Sequence, residues 1–467
     1  MSGSPVVVVG GGPVGLMNAL YLARVRKCPV IIVEQQADVG GLYASVNTPW
    51  GIVDQGVHIP QKTGIPAIDD LFFQLLPSED WQIFEGAHKD IAGNIFAGRF
   101  DSSSLYPDLC QLPKDDYLRC IAGMFTNASS DYKGFDKASS LKDYFESRFG
   151  KFCTDTVLEP IAHKIWKQPL EKLSPWAAKI VHLTRLVTHP AEITSSLKKS
   201  PVLDAIIGFP DQMSAPAELF RQQRPALYPR KFGLSGVVAG FVRELERAGV
   251  RTLTSSDVTA METCDGRFTA IQVKDLKTDA VEVIEVSALV WTSPIPPLMK
   301  LLGIAGSPPP DAALPFRVVH LFLDTPPATE DLYWLWSYDA DDSLVRISSP
   351  HAYCADAARD GVYPICAEMH VSDAAISDEA AIALAETQLR TRKLITADTK
   401  VLGGTVLKGM RSFFVPTVAN CDAMSAQRQV VDAVKSGNLV VATQDLNAGI
   451  FYMPDILCAG KAQLDNL

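Results

Sequence analysis

The chain has 467 residues, of which 47% are hydrophobic and 21% charged. This composition is typical of a large soluble globular protein and excludes long disordered segments, and the length predicts two or more domains. The net charge of −10 disfavours general nucleic-acid binding, because phosphate backbones require a basic face. Nine cysteines without a C-x-x-C pair indicate neither a disulfide framework nor a zinc site, and their scattered, reduced state suits the cytoplasm.

The first predicted elements are a strand, a turn, a helix and a second strand. The apolar run Val6 to Val9 leads into a G-x-G-x-x-G turn, and an apolar helix pattern follows through Leu22. A second apolar run, Val30 to Val33, ends on Glu34, nineteen residues past the last glycine of the motif. This order is the one that a dinucleotide-binding βαβ unit requires.

Each glycine of that motif has a physical role in holding a dinucleotide. Gly10 permits the tight turn, Gly12 lets backbone approach a pyrophosphate, and Gly15 lets the helix pack against the strand. The helix N-terminus faces the phosphates. Glu34 is expected to accept hydrogen bonds from a ribose diol. The sequence therefore predicts a dinucleotide site in the first 35 residues.

A second glycine pair narrows the choice of cofactor. Gly40 and Gly41, followed by Leu42, open a glycine-rich loop where an NAD enzyme usually continues into another crossover. At this point the chain resembles the FAD-dependent flavoprotein superfamily that contains amine oxidases, protoporphyrinogen oxidase and UDP-galactopyranose mutase. The resemblance implies that the cofactor is FAD and that these three residues lie beside it.

The remaining elements predict an α/β fold in which a Rossmann-like FAD-binding domain (GR2-type) carries an inserted mixed α+β substrate domain. We assign residues 1–75, 228–310 and 425–467 to the FAD-binding domain, and 76–227 and 311–424 to the substrate domain. The segments that read as helices or strands, in chain order, are the helices 141–149, 176–187 and 234–248, the strand 250–253, a hairpin at 268–274 and 281–286, the strand 288–291, several strands in 311–424 and the strand 438–441.

Downstream motifs extend the resemblance over nearly the whole chain. D-Q-G-V-H at 54–58 is similar to a segment that the mutase-like branch places near the isoalloxazine ring. The run that begins at Leu158, L-E-P-I-A-H-K-I-W, and Y-P-R-K-F-G at 228–233 also resemble that branch. W-T-S-P at 291–294 resembles a turn near the dinucleotide. By the same resemblance, the backbone of Val258 contacts adenine.

The C-terminal motif departs from the family pattern. The stretch at 442–449 reads A-T-Q-D-L-N-A-G, so the resemblance leaves either Asp445 or Gly449 for the phosphate–ribitol end of the cofactor. A mutase signature of two tyrosines is reduced to F-Y-M-P-D at 451–455, in which Met453 is assigned to the cofactor site. This loss disfavours galactopyranose mutase activity but not a nucleotide-sugar substrate.

His58 and Arg346 are the candidate catalytic residues. The resemblance places His58 beside the flavin, where it could tune N5 or assist proton transfer; alternatively it only shapes the loop. Arg346 aligns with an arginine that meets substrate phosphate, and bidentate pairing suits that task; alternatively it lies on an exposed strand face. Arg185 is a weaker candidate, for which a solvated helix face is the favoured interpretation.

Two further clusters are interpreted as structural. An aromatic cluster in the second insertion is more typical of strand core than of a substrate wall. An acidic run with no histidine at useful spacing is interpreted as a solvated turn, so no metal site is predicted. Their members are Tyr333, Trp334, Trp336, Tyr338 and Tyr353 for the aromatic cluster, and Asp339, Asp341 and Asp342 for the acidic run.

The sequence thus favours an FAD-dependent oxidoreductase that transfers a hydride from a small polar or sugar-like metabolite to flavin N5. Two alternatives stay open: a mutase that uses reduced FAD as nucleophile on a nucleotide sugar, and a flavin-binding scaffold without turnover. We expect a small-molecule substrate, no nucleic-acid partner, no integral membrane segment and a cytoplasmic location. The sequence leaves open the substrate, the electron acceptor and whether the chain forms a homodimer.

Overall fold

The computed structural model describes residues 3–128, 132–220, 223–305, 313–407, 412–434 and 437–467. The strands in chain order are β1 Val6–Val9, β2 Val30–Val33, β3 Val46–Thr48, β4 Gly51–Val53, β5 Trp81–Phe84, β6 Ala92–Phe96, β7 Arg99–Asp101, β8 Ala226–Pro229, β9 Arg251–Leu253, β10 Ser256–Cys264, β11 Arg267–Asp275, β12 Val281–Glu285, β13 Ala288–Trp291, β14 Leu314–Leu323, β15 Trp334–Ser337, β16 Leu344–Ser348, β17 Tyr363–His370, β18 Val401–Val406, β19 Ser412–Phe413 and β20 Leu439–Val441.

The helices in chain order are α1 Pro13–Arg24, α2 Pro66–Phe73, α3 Lys114–Asn127, α4 Leu141–Phe149, α5 Lys151–Cys153, α6 Glu159–Trp166, α7 Trp176–Ile180, α8 Ala191–Leu197, α9 Pro201–Asp204, α10 Ser235–Arg247, α11 Ile295–Leu301, α12 Pro350–Tyr353, α13 Asp378–Thr391, α14 Val418–Val434 and α15 Met453–Leu464. A π-helical turn, Thr154–Leu158, joins α5 to α6. Among the described residues, no helix combines the length and apolarity that crossing a bilayer requires.

A five-stranded parallel sheet, in the order β20-β13-β1-β2-β9, holds the N-terminal motif. The strands β20, β13, β1 and β2 are continuous apolar runs because both faces of the sheet are covered there, whereas the edge strand β9 is largely exposed. Val6 and Val8 belong to a core that includes residues of α1 and α10, whereas Val7 and Val9 belong to a core with residues of β11 and α11. All five strands lie in the segments assigned to the FAD-binding domain, and the Rossmann-like α/β fold is confirmed.

A second large sheet, in the order β18-β14-β17-β16-β15-β6-β7, is built entirely from the two inserted segments. Alternation along its strands gives it two different faces. Leu335, Ile347 and Ala367 belong to an apolar core shared with α13. On the other face, Arg346 is in register with Trp336 on one side and Glu368 on the other. The sheet therefore presents a row of polar and aromatic side chains away from its apolar core.

Most predicted elements form within a few residues of their expected bounds, but one helix is shorter. The helix predicted over 176–187 ends at Ile180, because His182 adopts a left-handed conformation with φ of +58° and the chain reverses there. The predicted hairpin forms from β11 and β12, and β10 extends it to three antiparallel strands. The domain boundary predicted between 310 and 311 lies outside the described residues, and the division into two domains stays a prediction.

Candidate functional site

The glycine turn after β1 brings the start of α1 into contact with the strand. Gly10 has φ of +108°, a conformation that favours glycine, and a Cβ at Gly15 would lie 1.9 Å from the carbonyl oxygen of Gly10. At Gly12, by contrast, an added Cβ meets no atom within 4 Å. Gly15 is therefore required for packing, whereas Gly12 borders open space at the start of the helix.

The second glycine loop packs directly on the first. The Gly40 N–H donates to the Gly11 carbonyl at 2.8 Å, and a Cβ at Gly41 would lie 3.1 Å from the Cα of Gly12. Both Gly40 and Gly41 have positive φ, and the Leu42 side chain that follows is exposed. The two loops thus form one glycine-lined cradle at the N-terminus of α1.

Glu34 lies at the carboxyl end of β2, as predicted. Its carboxylate accepts hydrogen bonds from the N–H groups of Gly11 at 2.6 Å and Gln36 at 2.7 Å. Its carbonyl accepts from the Ser256 N–H at 2.9 Å, which joins β10 to the end of β2. Two residues further along β10, the Val258 side chain is buried in the core on the far side of the sheet. Contact between the Val258 backbone and adenine stays a prediction.

These residues fit a bound dinucleotide. The first turn of α1, which begins with Pro13, has N–H groups with no partner inside the helix, and this end of a helix attracts phosphate. The open space over Gly12 leaves room for a pyrophosphate to approach the backbone. Glu34 stands at the end of the neighbouring strand, where a ribose diol can reach its carboxylate.

The three C-terminal candidates lie in different surroundings. Asp445 closes a turn with Ile450 through paired backbone hydrogen bonds, and its carboxylate accepts from Ser425 Oγ at 2.7 Å. Gly449, with φ of +73°, packs against the Trp176 ring. Met453 begins α15, and the Tyr43 hydroxyl donates to its Sδ at 3.4 Å.

Tyr43 directly follows Leu42, so Met453 lies beside the second glycine loop. Asp445 closes a turn and Gly449 packs against Trp176. These contacts account for the presence of the two residues at their positions without a cofactor. Cofactor contacts of all three residues remain predictions.

The loop of residues 54–58 is anchored by a buried carboxylate. Asp54 accepts hydrogen bonds from Ser45 Oγ at 2.6 Å, from the Leu234 N–H at 3.0 Å and from the Tyr228 hydroxyl. Burial raises the pKa of Asp54, and these hydrogen bonds to its ionised form lower it. The acid therefore ties the loop to the start of α10.

The same loop is also joined to the glycine cradle. The Gln55 side-chain amide donates to the carbonyls of Gly41 at 3.1 Å and Ala44 at 3.0 Å. His58 Nε2 lies 3.0 Å from the Gln55 carbonyl, and burial together with the nearby Arg346 lowers the pKa of His58 to about 4. His58 is therefore neutral at pH 7 and donates Nε2–H to that carbonyl.

Arg346 lies on the inward face of the second sheet and not on a solvated strand face. Its Nε and Nη2 lie 2.8 and 2.7 Å from Glu368 Oε1, and its guanidinium stands 5.9 Å from the Trp336 ring. A Cβ at Gly56 would lie 2.9 Å from Glu368 Oε1, so this ion pair touches the 54–58 loop. The structure therefore brings His58 and Arg346 together.

Three further polar side chains lie near Arg346 or near one another, and none was predicted as a site residue from the sequence. Burial raises the pKa of Tyr452 and the nearby Arg346 offsets part of that rise. Burial, then Arg346 and Lys89, lower the pKa of His182 to about 4. We call Arg346, Glu368, His58, His182, Tyr452 and Lys89 the Arg346 cluster. His58 and Arg346 were predicted from their motifs, and Tyr452 lies in the motif at 451–455. Glu368, which was missed, has a sequence signal as a single charge in the apolar run of β17.

Arg185 does not join this cluster, and its predicted solvated position is wrong. The side chain is half-buried, and its Nε donates to the Asp204 carbonyl at 2.9 Å. The predicted core aromatics are buried, although the rings of Trp334 and Trp336 also face His182 at 5.1 and 6.2 Å. Trp334 and Trp336 are therefore part of the core and also contact the Arg346 cluster.

The acidic run at 339–342 is not a solvated turn, because Asp339 and Asp342 are largely buried in ion pairs. Asp342 lies 2.9 Å from Lys164 Nζ and 2.6 Å from Arg392 Nε, and Arg392 also pairs with Asp339 and Asp341. The cations that compensate this acidic run come from distant parts of the chain. The sequence around residues 339–342 therefore does not reveal them. No group of three metal-binding side chains occurs in the described ranges.

The cradle and the adjoining cluster belong to an α/β protein that has a Rossmann-like domain and a second sheet whose Arg346–Glu368 pair touches the 54–58 loop. Residues 8–75 match the family described as NAD(P)-binding Rossmann-like domain. A protoporphyrinogen oxidase from Schizosaccharomyces pombe is 23% identical over 265 residues, covering 54% of this chain and 53% of that protein. The chain thus matches about half the length of this relative.

Two solved structures share the fold over nearly the whole chain. Reduced UDP-galactopyranose mutase superposes with a TM-score of 0.72 at 14% identity, covering 99% of this chain and 95% of the other. Putrescine oxidase bound to putrescine gives 0.59 at 15% identity, covering 99% and 98%. The chain has the fold of the FAD-dependent superfamily that contains the amine oxidases, protoporphyrinogen oxidase and UDP-galactopyranose mutase.

Proposed function

We propose that the chain is an FAD-dependent oxidoreductase that acts on a small polar or sugar-like metabolite. One observation carries the proposal: the Arg346 cluster packs against the 54–58 loop, which Gln55 joins to the glycine cradle. The 54–58 loop thereby connects the Arg346 cluster, a polar site, to the glycine cradle, the proposed dinucleotide site. Relatives and fold neighbours that are oxidases add support.

The residues of this chain have distinct tasks in the proposed reaction. When bound, FAD would supply a hydride acceptor at N5. Arg346, held by Glu368, orients a polar group of the substrate, because a fixed guanidinium loses little freedom on binding. His58 is neutral at pH 7 and already donates Nε2–H to the Gln55 carbonyl, so its side chain holds the loop and leaves Nδ1 as its available acceptor.

A mutase that acts on a nucleotide sugar is the second candidate. The observation that favours it is Tyr452, which remains from the reduced tyrosine motif and lies near Arg346. A phenol and a guanidinium together can bind a phosphate group. The neighbour with a TM-score of 0.72 is a reduced mutase, although its 14% identity indicates only a common fold.

Anaerobic stopped-flow spectroscopy separates the two candidates. An oxidoreductase is expected to show bleaching of the flavin by one member of a panel of polar and sugar-like metabolites. The matched arm uses dithionite-reduced protein with nucleotide sugars and measures isomerisation. Isomerisation that requires reduction, without net electron transfer, would establish the mutase and overturn the oxidoreductase. A bound flavin that is inert in both arms would favour the scaffold.

A further inference from the structure

His182 occupies a backbone position that normally favours glycine. It follows α7 with φ of +58°, and the Leu183 N–H donates to the Ala178 carbonyl at 2.8 Å, which closes a Schellman-type cap. A left-handed conformation is uncommon for residues other than glycine, but eight other such residues of the described chain share it, so the conformation alone assigns no task. His182 differs from exposed Lys393 in the contacts of its side chain.

The imidazole is held by two tryptophans. Trp336 Nε1 lies 3.2 Å from His182 Nδ1, and the indole N–H can only donate, so Nδ1 accepts. The ring also stands 5.1 Å from the Trp334 ring. Because Nδ1 accepts, the neutral ring carries its proton on Nε2. Burial and the cations Arg346 and Lys89 lower the pKa of His182 to about 4, which keeps this neutral form at pH 7.

The donors around His182 are not saturated by the protein. Within the ranges that the structure describes, no residue forms a hydrogen bond to His182 Nε2 or to Arg346 Nη1. Lys89 Nζ has only long contacts, 3.4 Å to Gln61 Oε1 and 3.8 Å to Asp90 Oδ2. The His182 Nε2–H and Arg346 Nη1 donors thus remain available near the Trp336 ring, and Lys89 is close enough to act on His182.

We propose that His182 is a substrate-contacting residue whose Nε2–H donates to an oxyanion, a carboxylate or a phosphate, that Arg346 and Lys89 also bind. Glu368 pairs with Arg346 and Asp90 lies 3.8 Å from Lys89, so the two cations are balanced by carboxylates. The preference for an anion therefore rests on the N–H donors that remain free, because a cationic guest has no acceptor to offer them. This inference deepens the proposed function and rests on it, since it names the substrate as an anion. Trp336 is the positioning residue that fixes the tautomer.

Calorimetric titration of the purified protein at pH 7 with inorganic phosphate and, separately, with benzoate tests the proposal. His182→Gly suits the left-handed backbone but removes the donor, and we expect at least about tenfold weaker binding of the anion that the wild type prefers. Lys393→Gly is the matched control, because the exposed Lys393 has φ of +57° in the same kind of cap after α13. Lys393→Gly is expected to keep the wild-type melting temperature or exceed it, whereas His182→Gly also loses the hydrogen bond from Trp336 Nε1, so thermal melts are used to check that both variants are folded.

His182→Asn provides a rescue, since asparagine tolerates the left-handed conformation and carries an amide donor. It is expected to bind the anion more tightly than His182→Gly. Equal affinities of His182→Gly and Lys393→Gly, equal affinities of His182→Gly and His182→Asn, or no binding of either anion to the wild type would each overturn the inference. Preference for phosphate or for benzoate identifies which oxyanion the substrate carries.

Flavin content is measured on the same preparations to separate this inference from the proposed function. A protein that binds the anion through His182 but holds no flavin would overturn the proposed function and support the anion site. A flavoprotein that is reduced by a metabolite but whose anion affinity does not depend on His182 would overturn the inference alone.

Discussion

The Glu34 carboxylate is the one charged group expected to bind the ribose directly. Glu34→Gln keeps the size of the side chain and removes the charge-assisted acceptor. We expect FAD affinity to fall roughly tenfold, because such a hydrogen bond contributes about 1.5–3 kcal/mol. Fluorescence titration of the flavin-free protein measures this. Asp38→Asn, an exposed carboxylate nearby, is the control; equal affinities of the two variants would exclude a ribose contact at Glu34.

Gly12 and Gly15 permit a paired test of folding against binding. The Cβ of Gly12→Ala enters open space, and φ of −72° is accessible to alanine, so stability is expected to stay unchanged while FAD affinity falls at least about tenfold. Gly15→Ala places a Cβ against the Gly10 carbonyl and is expected to cost about 1–3 kcal/mol of stability. Urea denaturation measures the stability of the two variants, and flavin titration measures their FAD affinity. A destabilised Gly12→Ala with normal FAD affinity would contradict the separate roles of the two glycines.

His320 is expected to contribute to acid sensitivity. It lies buried on β14, the described residues offer no hydrogen-bond partner to either ring nitrogen, and the nearby Asp54 carbonyl lies outside bonding geometry. Burial lowers the pKa of His320 from 6.5 to about 4. The unfolded chain therefore takes up the proton first, and stability on the order of 3 kcal/mol is lost as the pH falls from 6.5 towards 4.

His320→Leu removes both unpaired nitrogens and the proton uptake, so the melting temperature is expected to fall less between pH 7 and pH 5 than in the wild type. Thermal melts at the two pH values measure this difference. His88→Gln, at an exposed histidine, is the control and should retain the wild-type slope. An unchanged slope in His320→Leu would exclude His320 as a source of the acid sensitivity.

At the scale of elements, a buried ion pair fastens α6 to the end of β15. Lys164 Nζ donates to the Ser337 carbonyl at 2.7 Å, to Ser337 Oγ at 2.8 Å and to Asp342 at 2.9 Å, and it is 1% exposed. Lys164→Met leaves the Ser337 carbonyl buried without its donor while Asp342 keeps Arg392, and we expect a loss of about 1–3 kcal/mol in urea denaturation. Lys151→Met, which breaks the exposed pair with Asp155, should leave the urea midpoint nearly unchanged, because solvent screens that pair. Similar losses in both variants would contradict the special role of burial.

The sequence predicted those elements whose signals are local. The glycine turn, β1, β2 and Glu34 lie within 35 residues, and their spacing alone identifies the unit. The end of α7 was missed because the apolar pattern continues past Ile180, whereas the chain reverses at a histidine that occupies the position usual for glycine. Helix ends of this kind depend on tertiary contacts, here those of His182 with Trp336.

The Arg346 cluster was predictable only in part, since it forms from sequentially distant strands. Arg346 and His58 were named from their motifs, but Glu368 and His182 were not, because their proximity depends on the register of β15, β16 and β17. The same limit applies to Asp342, whose partners Lys164 and Arg392 lie 178 and 50 residues away. Spacing along the chain contains no information about these pairings.

At the scale of the whole molecule, the parallel sheet supports the glycine cradle and the second sheet supports the Arg346 cluster. The 54–58 loop lies between them, anchored by Asp54 and joined to the cradle by Gln55. Under the proposed function, cofactor binding and substrate binding belong to separate sheets, so a substitution in one is expected to leave the other folded.

The central claim is that the cradle binds FAD, and the flavin content of the purified protein tests it most directly. No histidine or cysteine lies in the two glycine loops, residues 10–15 and 40–42, so a noncovalent cofactor is expected there. Acid precipitation should release about one yellow flavin per chain into the supernatant, identified as FAD by its chromatographic retention. A colourless protein that takes up neither FAD nor NAD on reconstitution would contradict the account.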